Sequence, residues 1–306
     1  MNIASYITPQ NLRVTELDSS NEKDDNILAE LCLEASRDFE RMCSGRVFYP
    51  YKNTRYYDHP SQRGHEYTTI ILKDDLLQVT SFTTNNGATT VPAGDFFLRT
   101  GPRGFWEHPP YDRIELEYGS TGYSTGLNWS STPQRANTIA GFWGYVPDWG
   151  ESVSAASCWT STGATVESAT STTLTLSALA GVDAYGLYPR LSKYDLVMWY
   201  NSTYADMEMG FVIDIDEATD TITVTRGVNG TSTDTPSGSP TLYKFKPEGS
   251  IVRAVRKLAA FYYRGRQTSR ADIDRPIITA TGAIIMPSAL PKDVVEVVQN
   301  YQGILE

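Results

Sequence analysis

Two stretches of helical periodicity, Asp24 to Ser44 and Ser250 to Gln267, stand far apart in this chain, and nearly everything between them reads as β structure. In the first, Ile27, Leu28, Leu31, Cys32, Ala35, Phe39 and Met42 fall on one stripe, and Glu30, Glu34, Arg37, Asp38 and Arg41 cover the other side. In the second, Ile251, Val255, Leu258, Ala259 and Tyr262 face one way, with Arg253, Arg256, Lys257 and Arg264 opposite. A short amphipathic helix cannot bury its apolar stripe alone, so the face of Phe39 and the face of Tyr262 are expected to share one core. The β material is then an elaboration on a small helical hub.

Shorter signals flank these helices. Thr8-Pro9, a hydroxyl cap followed by proline, opens a helix through Leu12 and Leu17. Gly45 closes the first long helix as a C-terminal cap. Pro276–Met286 reads as two short strands about Thr281-Gly282, and Leu290-Pro291 opens a last helix bearing Val294, Val295, Val298 and Tyr301.

From Thr54 the period falls to two. Strands are expected at Arg55–Asp58, Thr69–Leu72, Gln78–Thr84, Phe96–Arg99, Arg113–Tyr118 and Thr138–Tyr145. Asn85-Asn86-Gly87 supplies the positive backbone angles of a hairpin, and Gly119 to Asn137 reads as a long loop. Residues 151–246 differ in texture, with a Ser/Thr-rich start and alternating runs such as Thr173-Leu174-Thr175-Leu176 and Thr221-Ile222-Thr223-Val224-Thr225. Eleven acidic residues there face five basic ones, which supplies more than half of the chain's net charge of −10. The expected fold is therefore α+β. Residues 1–150 and 247–306 form a helical bundle from both chain ends plus a β-rich region, and 151–246 form an inserted small β-barrel or sandwich.

A length of 306 residues is enough for two cores, and nineteen Tyr favour pleated, half-buried surfaces. The negative charge argues against a general nucleic-acid or anionic-membrane binder. Three Cys (Cys32, Cys43 and Cys158) have no metal spacing and are expected to be reduced. Met1 to Arg13 lacks a signal-peptide pattern, and no run approaches the ~18 apolar residues of a membrane span, so synthesis in the cytoplasm is expected.

Chemistry-bearing patterns are weak. His59, His65 and His108 sit near Pro or Gly and form no zinc pattern. Asp214-x-Asp216…Asp220 lacks the central Gly and closing Glu of a calcium loop and reads as hairpin-turn residues. No Gly-x-Ser-x-Gly or phosphate-binding loop occurs. Neither an enzyme nor a cofactor is expected.

The order of elements resembles the head–tail connector (adaptor) family of tailed bacteriophages. The resemblance rests on Tyr6-Ile7-Thr8…Leu12, then Asp24-Asp25…Leu28…Leu31…Glu34-Ala35…Phe39…Gly45-Arg46-Val47-Phe48-Tyr49. Tyr56-Tyr57-Asp58, Leu76-Leu77-Gln78-Val79-Thr80-Ser81-Phe82, Arg113-Ile114-Glu115-Leu116, Gly141-Phe142-Trp143-Gly144-Tyr145, the helix Ile251 to Arg266, and Leu290-Pro291-Lys292-Asp293-Val294 complete it. It covers about residues 1–150 and 247–306. The block 151–246 departs from it, although its Asp220 to Thr231 stretch is similar to a β-module recurring in phage structural proteins.

The resemblance implies a homo-oligomeric ring of about twelve subunits at the virion neck, assembled in the host cytoplasm. The ring would dock on a portal protein above and a stopper or tail-terminator protein below. DNA would pass through the lumen without sequence recognition, and no membrane is involved.

Within that frame the basic set Arg253, Arg256, Lys257, Arg264 and Arg266 has two readings. It either pairs with Glu30, Glu34 and Asp38 of the partner helix or meets the portal or the lumen. A cation-lined lumen would trap DNA, which favours the portal interface. Trp106, Trp129 and Trp149 are expected at subunit interfaces, while Trp143 and Tyr145 suit core packing. Val294, Val298 and Tyr301 are expected to dock the last helix on the bundle or a neighbour. The competing class is a surface carbohydrate-binding or adhesin-like β-protein.

Overall fold

The computed structural model describes residues 5–17, 23–58, 69–101, 108–116, 134–150, 152, 158–183, 189–267, 277–278, 284–285 and 290–302. Helices α1 (Pro9–Glu16) and α2 (Asp25–Met42) come early, and α3 (Gly249–Gln267) and α4 (Lys292–Tyr301) come late. The Thr8 hydroxyl accepts from the Asn11 N–H at 3.2 Å, and Pro9 fills the first turn, so α1 starts where its cap dictates. α2 stops over Ser44 and Gly45, both at positive φ, where the Gly45 N–H donates back to the Glu40 carbonyl at 2.8 Å.

Helix α3 touches α1, α2 and α4. Ile251, Ala254, Val255, Leu258, Ala259 and Ala260 are all buried, and the three alanines let neighbouring helices approach closely. Phe39 is fully buried in this core, and Tyr262 packs against it while its hydroxyl donates to Asp38 Oδ2 at 2.9 Å. The two ends of the chain thus close a single hub. Each large side chain buried there contributes about 1.5–3 kcal/mol.

The first β region is an antiparallel sheet of β1 (Tyr51–Tyr57), β2 (Thr69–Thr84), β3 (Thr89–Thr90), β4 (Phe96–Arg99), β5 (Tyr111–Leu116) and β6 (Asn137–Trp143). Its order is β1-β6-β2-β5-β4, with β3 paired to the end of β2. The two strands expected at 69–72 and 78–84 are one long strand. Register shifts absorb the bend, and Asp74 and Asp75 are held by Arg55 (3.4 Å) and Arg46 (2.9 Å). β1 begins earlier than its alternation suggests because Tyr51 pairs with Trp143. Asn85, Asn86 and Gly87 all take positive φ in the expected hairpin. The sheet curls over a core of its own, with Ile70, Leu76, Phe82, Ile114, Ile139 and Trp143 at the centre.

The insertion is a closed antiparallel barrel, not a sandwich. It comprises β7 (Trp159–Ala169), β8 (Thr173–Leu176), β9 (Leu196–Trp199), β10 (Glu208–Asp216), β11 (Thr221–Arg226) and β12 (Thr241–Phe245), in the order β10-β11-β8-β7-β12-β9 and back to β10. Closure removes both sheet edges. All four residues of β9 are buried: Val197 and Trp199 fill the barrel, whereas Leu196 and Met198 point out into the hub core. Met209 and Phe211 of β10 do the same. The short pair β13 (Ile277–Ile278) and β14 (Ile284–Ile285) matches the two strands expected before the last helix. Among the described residues, no helix is long and apolar enough to cross a membrane.

Candidate assembly interface

The Gly141-Phe142-Trp143-Gly144-Tyr145 motif is where hub and sheet meet. Gly144 has φ +125°, and a Cβ there would lie 2.3 Å from the Tyr49 carbonyl, so no side chain fits. The chain turns so that Phe142 enters the hub core, whereas Trp143 enters the sheet core, stacks on Tyr57 and donates its indole N–H to the Asn53 carbonyl at 3.0 Å. Tyr145 lies edge-on to Phe48 and Tyr301, with the Arg46 guanidinium 4.6 Å from its ring centre. Trp143 and Tyr145 are thus packing residues, as their pattern suggested.

The Arg226 to Thr231 stretch joins the barrel to the sheet. The Lys52 N–H donates to the Asn229 carbonyl at 2.7 Å, and the Asn229 amide donates to the Pro50 carbonyl at 3.2 Å. A Cβ on Gly230 would lie 2.1 Å from the Lys52 carbonyl, and its φ is +76°. Arg226 forms a buried two-point pair with Glu208 (2.8 and 2.6 Å) under the Trp199 ring. This motif does structural work at a joint.

The five basic residues of α3 lie along one helix, and the structure distributes them among three neighbours. Arg256 pairs with Glu16 of α1 at 3.0 Å, and Arg264 donates to the Glu16 carbonyl at 3.2 Å. Lys257 pairs with Asp293 of α4, a carboxyl that this contact holds below the usual carboxylate range. Arg266 reaches Glu34 of α2 at 3.8 Å. Exposed Arg253 sits in the same field, adding to the depression of Asp293. Of the expected acidic partners only Glu34 is used, because α1 and α4 supply closer ones. Asp38 instead bonds Arg41 and Tyr262.

Val294, Val298 and Tyr301 are buried in the hub of their own chain. The Tyr301 hydroxyl bonds Glu248 at 2.5 Å and Ser250 at 2.8 Å, and Arg46 donates to its carbonyl at 3.2 Å. Trp149 is corrected: it is no surface anchor but is buried between Phe142 and Tyr204, at ring-centre distances of 5.3 and 5.2 Å. Its position just beyond the sheet puts it under the barrel, which covers it. Trp106, Trp129, His59, His65 and most of the loop 119–137 lie outside the described residues. His108 is exposed.

Two polar groupings were missed. At the hub, Tyr6 donates its hydroxyl to Glu40 and accepts from the Phe48 N–H at 2.8 Å. Arg37 binds Glu40 at 2.9 Å and the Tyr49 hydroxyl at 3.0 Å. Burial pushes the Glu40 carboxyl up, opposed by Arg37. The Arg37/Glu40 spacing was the available signal. Between α1 and the barrel, a cleft of about 600 Å³ is lined by Gln10, Asn11, Val14, Asp195, Lys244 and Val252. Burial pushes Asp195 up to about 6, although the Ser192 N–H at 2.7 Å and Lys244 pull it down. Lys244 also pairs with Asp183 at 2.8 Å, a contact between residues too distant in sequence to foresee.

The acidic turn of β10–β11 is tied up locally: Asp214 binds Lys193 at 2.5 Å, Asp216 binds the Ala218 N–H and Thr219, and Asp220 binds the Leu179 N–H. Among the described residues, no cluster of ligand side chains could hold a metal ion. All three cysteines are free and buried, with thiols pushed up by burial. What the geometry offers is surfaces and joints. In comparisons with known proteins, no family model and no curated sequence matches this chain.

Proposed function

We propose that this chain is a structural virion protein: the subunit of a ring of about twelve copies that joins a phage portal to a stopper or tail protein and surrounds the DNA channel. The observation that supports it most is the hub, where α2 and α3 from opposite ends of the chain share one core and carry two β bodies outward. That layout offers several separated faces on one rigid subunit, which a closed ring needs for its two unlike contacts. The ion pairs along α3 add support, because Arg256 and Lys257 hold neighbouring helices and leave less free cationic charge to retard passing DNA. The exposed members of this face, Arg253, Arg264 and Arg266, are the surface we assign to the portal.

The test is to measure the mass of the purified full chain by light scattering, image it by electron microscopy, and challenge it with a portal ring. Rings that bind the portal are expected. A monomer that ignores the portal and binds glycans would replace this reading with that of a carbohydrate-binding β-protein.

A further inference from the structure

Strand register lays out a grid on the outer face of the sheet. Across β2, β5 and β4 one row is Ile71, Arg113 and Arg99, and another is Thr69, Glu115 and Phe97. Cross-strand neighbours point to the same side. The intervening row, Ile70, Ile114 and Leu98, faces the sheet's core, so the other two rows face outward. Ile71 is 75% exposed and Phe97 41%, far more than isolated core-type side chains need to be. Arg99 lies 5.0 Å from the Phe97 ring centre, and exposed Lys73 follows Ile71 on the same strand. Arg113 and Glu115 of β5 stand between Ile71 and Phe97, Glu115 and Asp112 brace the two arginines at 3.4 and 2.7 Å, and with Lys73 the described residues of this face are net positive.

The barrel carries the opposite pattern. Register slips in β10 between Val212 and Asp214, so Ile213 has no partner on β11 and is 40% exposed. Around it Asp214, Asp216 and Glu217 are exposed, with Lys193 paired to Asp214. This ribbon is an apolar knob with a net negative rim.

We infer that the Ile213 ribbon of one copy binds the Ile71/Phe97 patch of the next copy. The inference rests on the ring reading above and names the contact that builds the ring. The two faces belong to different bodies of the subunit, so their contact is head-to-tail and propagates until it closes. Their opposite charges favour this pairing and discourage each face from meeting its own kind.

Two charge-reversed full-length variants test it: Asp216→Lys with Glu217→Lys in the ribbon, and Lys73→Glu with Arg99→Glu on the sheet. Each alone is expected to raise the concentration for half-assembly more than tenfold, with the thermal transition kept. An equimolar mixture is expected to restore assembly, because the reversed faces now match each other. Ile71→Ser, which disturbs no ion pair, is expected to raise that concentration several-fold and guards against a folding defect in the charged variants. Variants that assemble like the parent overturn the inference and leave the ring reading standing. Loss of assembly without recovery in the mixture also overturns it. A parent chain that stays monomeric overturns both.

Discussion

Inside the barrel, every core side chain among the described residues comes from the barrel's own strands and loops, among them Ala164, Leu174, Val197, Trp199, Ile222 and Leu242. The hub core instead draws on the four described helices, on the first sheet through Leu77 and Phe142, and on the barrel's outer wall through Leu196, Met198, Met209 and Phe211. The barrel also closes its own hydrogen-bond ladder, whereas the hub's neighbours are joined by side chains and a few joints such as Asn229 on Pro50. The inserted body is self-sufficient inside and structural outside. The hub cannot keep a dry core without it. An insertion of this kind is therefore a wall of the bundle and not a passenger on it.

The largest expected effect follows from that asymmetry. Phe39→Ala opens a cavity where helices, sheet and barrel wall converge, at a cost of about 3–5 kcal/mol. Unfolding should remain one transition, with tryptophan fluorescence and far-ultraviolet circular dichroism moving together, because Trp143 and Trp199 sit in bodies coupled through the hub. A split into two transitions, with the barrel melting first and the hub left folded, would break the comparison.

A smaller effect tests the joint without touching either core. Gly230→Ala places a methyl group against the Lys52 carbonyl at a φ of +76°, so the 227–231 turn must move away from β1. A cost of about 2 kcal/mol is expected from strain and the lost contact. Hydrogen exchange should quicken at the Lys52 amide and stay slow at the Val197 and Ile139 amides inside the two bodies. Equal acceleration throughout would show that the bodies are less distinct than their cores indicate.

Helices and hairpin were legible because their causes are local. The stripe through Leu28, Leu31, Ala35 and Phe39, the Thr8 cap and the Asn85-Asn86-Gly87 turn need no partner to be recognised. The meeting of Phe39 and Tyr262 was inferable because each stripe lacked a mate nearby. What sequence hid was set by packing between distant segments. Strand β9 is buried on both faces only because a bundle covers the barrel there, and the same covering turns Trp149 from an interface candidate into core. Of the acidic partners expected for the basic helix, Glu34 is used and Glu30 and Asp38 are not, for a related reason: Glu16 and Asp293 lie on short helices whose approach to α3 depends on the whole hub. Strand β2 was divided in two because Lys73-Asp74-Asp75 looks like a turn until Arg46 and Arg55 are in place.

The cleft between α1 and the barrel holds a buried carboxyl, Asp195. Asp195 has an ordinary pKa of 3.8 unfolded and about 6 folded, with Lys244 the cation that faces it. Between about pH 4 and 6 the folded chain holds a proton that the unfolded chain has lost. Through this group, stability therefore rises as pH falls from 7 toward 4, and the cost of burying its charge is felt in full above pH 6. Asp195→Asn keeps an oxygen to accept from the Ser192 N–H at the same place and removes that cost. It should raise stability at pH 7 by on the order of 1–2 kcal/mol, and the gain should vanish near pH 4. Denaturant titrations at the two pH values check this. A gain that is equal at both would mean that Asp195 acts through packing, and the boundary between barrel and hub would then be as dry as either core.

The smallest expected effect lies on the hub's surface. Arg266 and Glu34 are both more than half exposed and 3.8 Å apart, a geometry in which water screens most of the attraction. Arg266→Ala should change stability by less than about 0.5 kcal/mol, measured by the shift in denaturation midpoint. Arg256, whose partner Glu16 is mostly shielded beside it, should matter more when replaced by Met, since that pair also fixes α1 against α3. The ratio of the two effects separates charge that holds the hub together from charge that only decorates it. If Arg256→Met proves as silent as Arg266→Ala, α1 is held mainly by Leu12 and the Tyr6 network, and Arg256 is then available to a partner outside the chain.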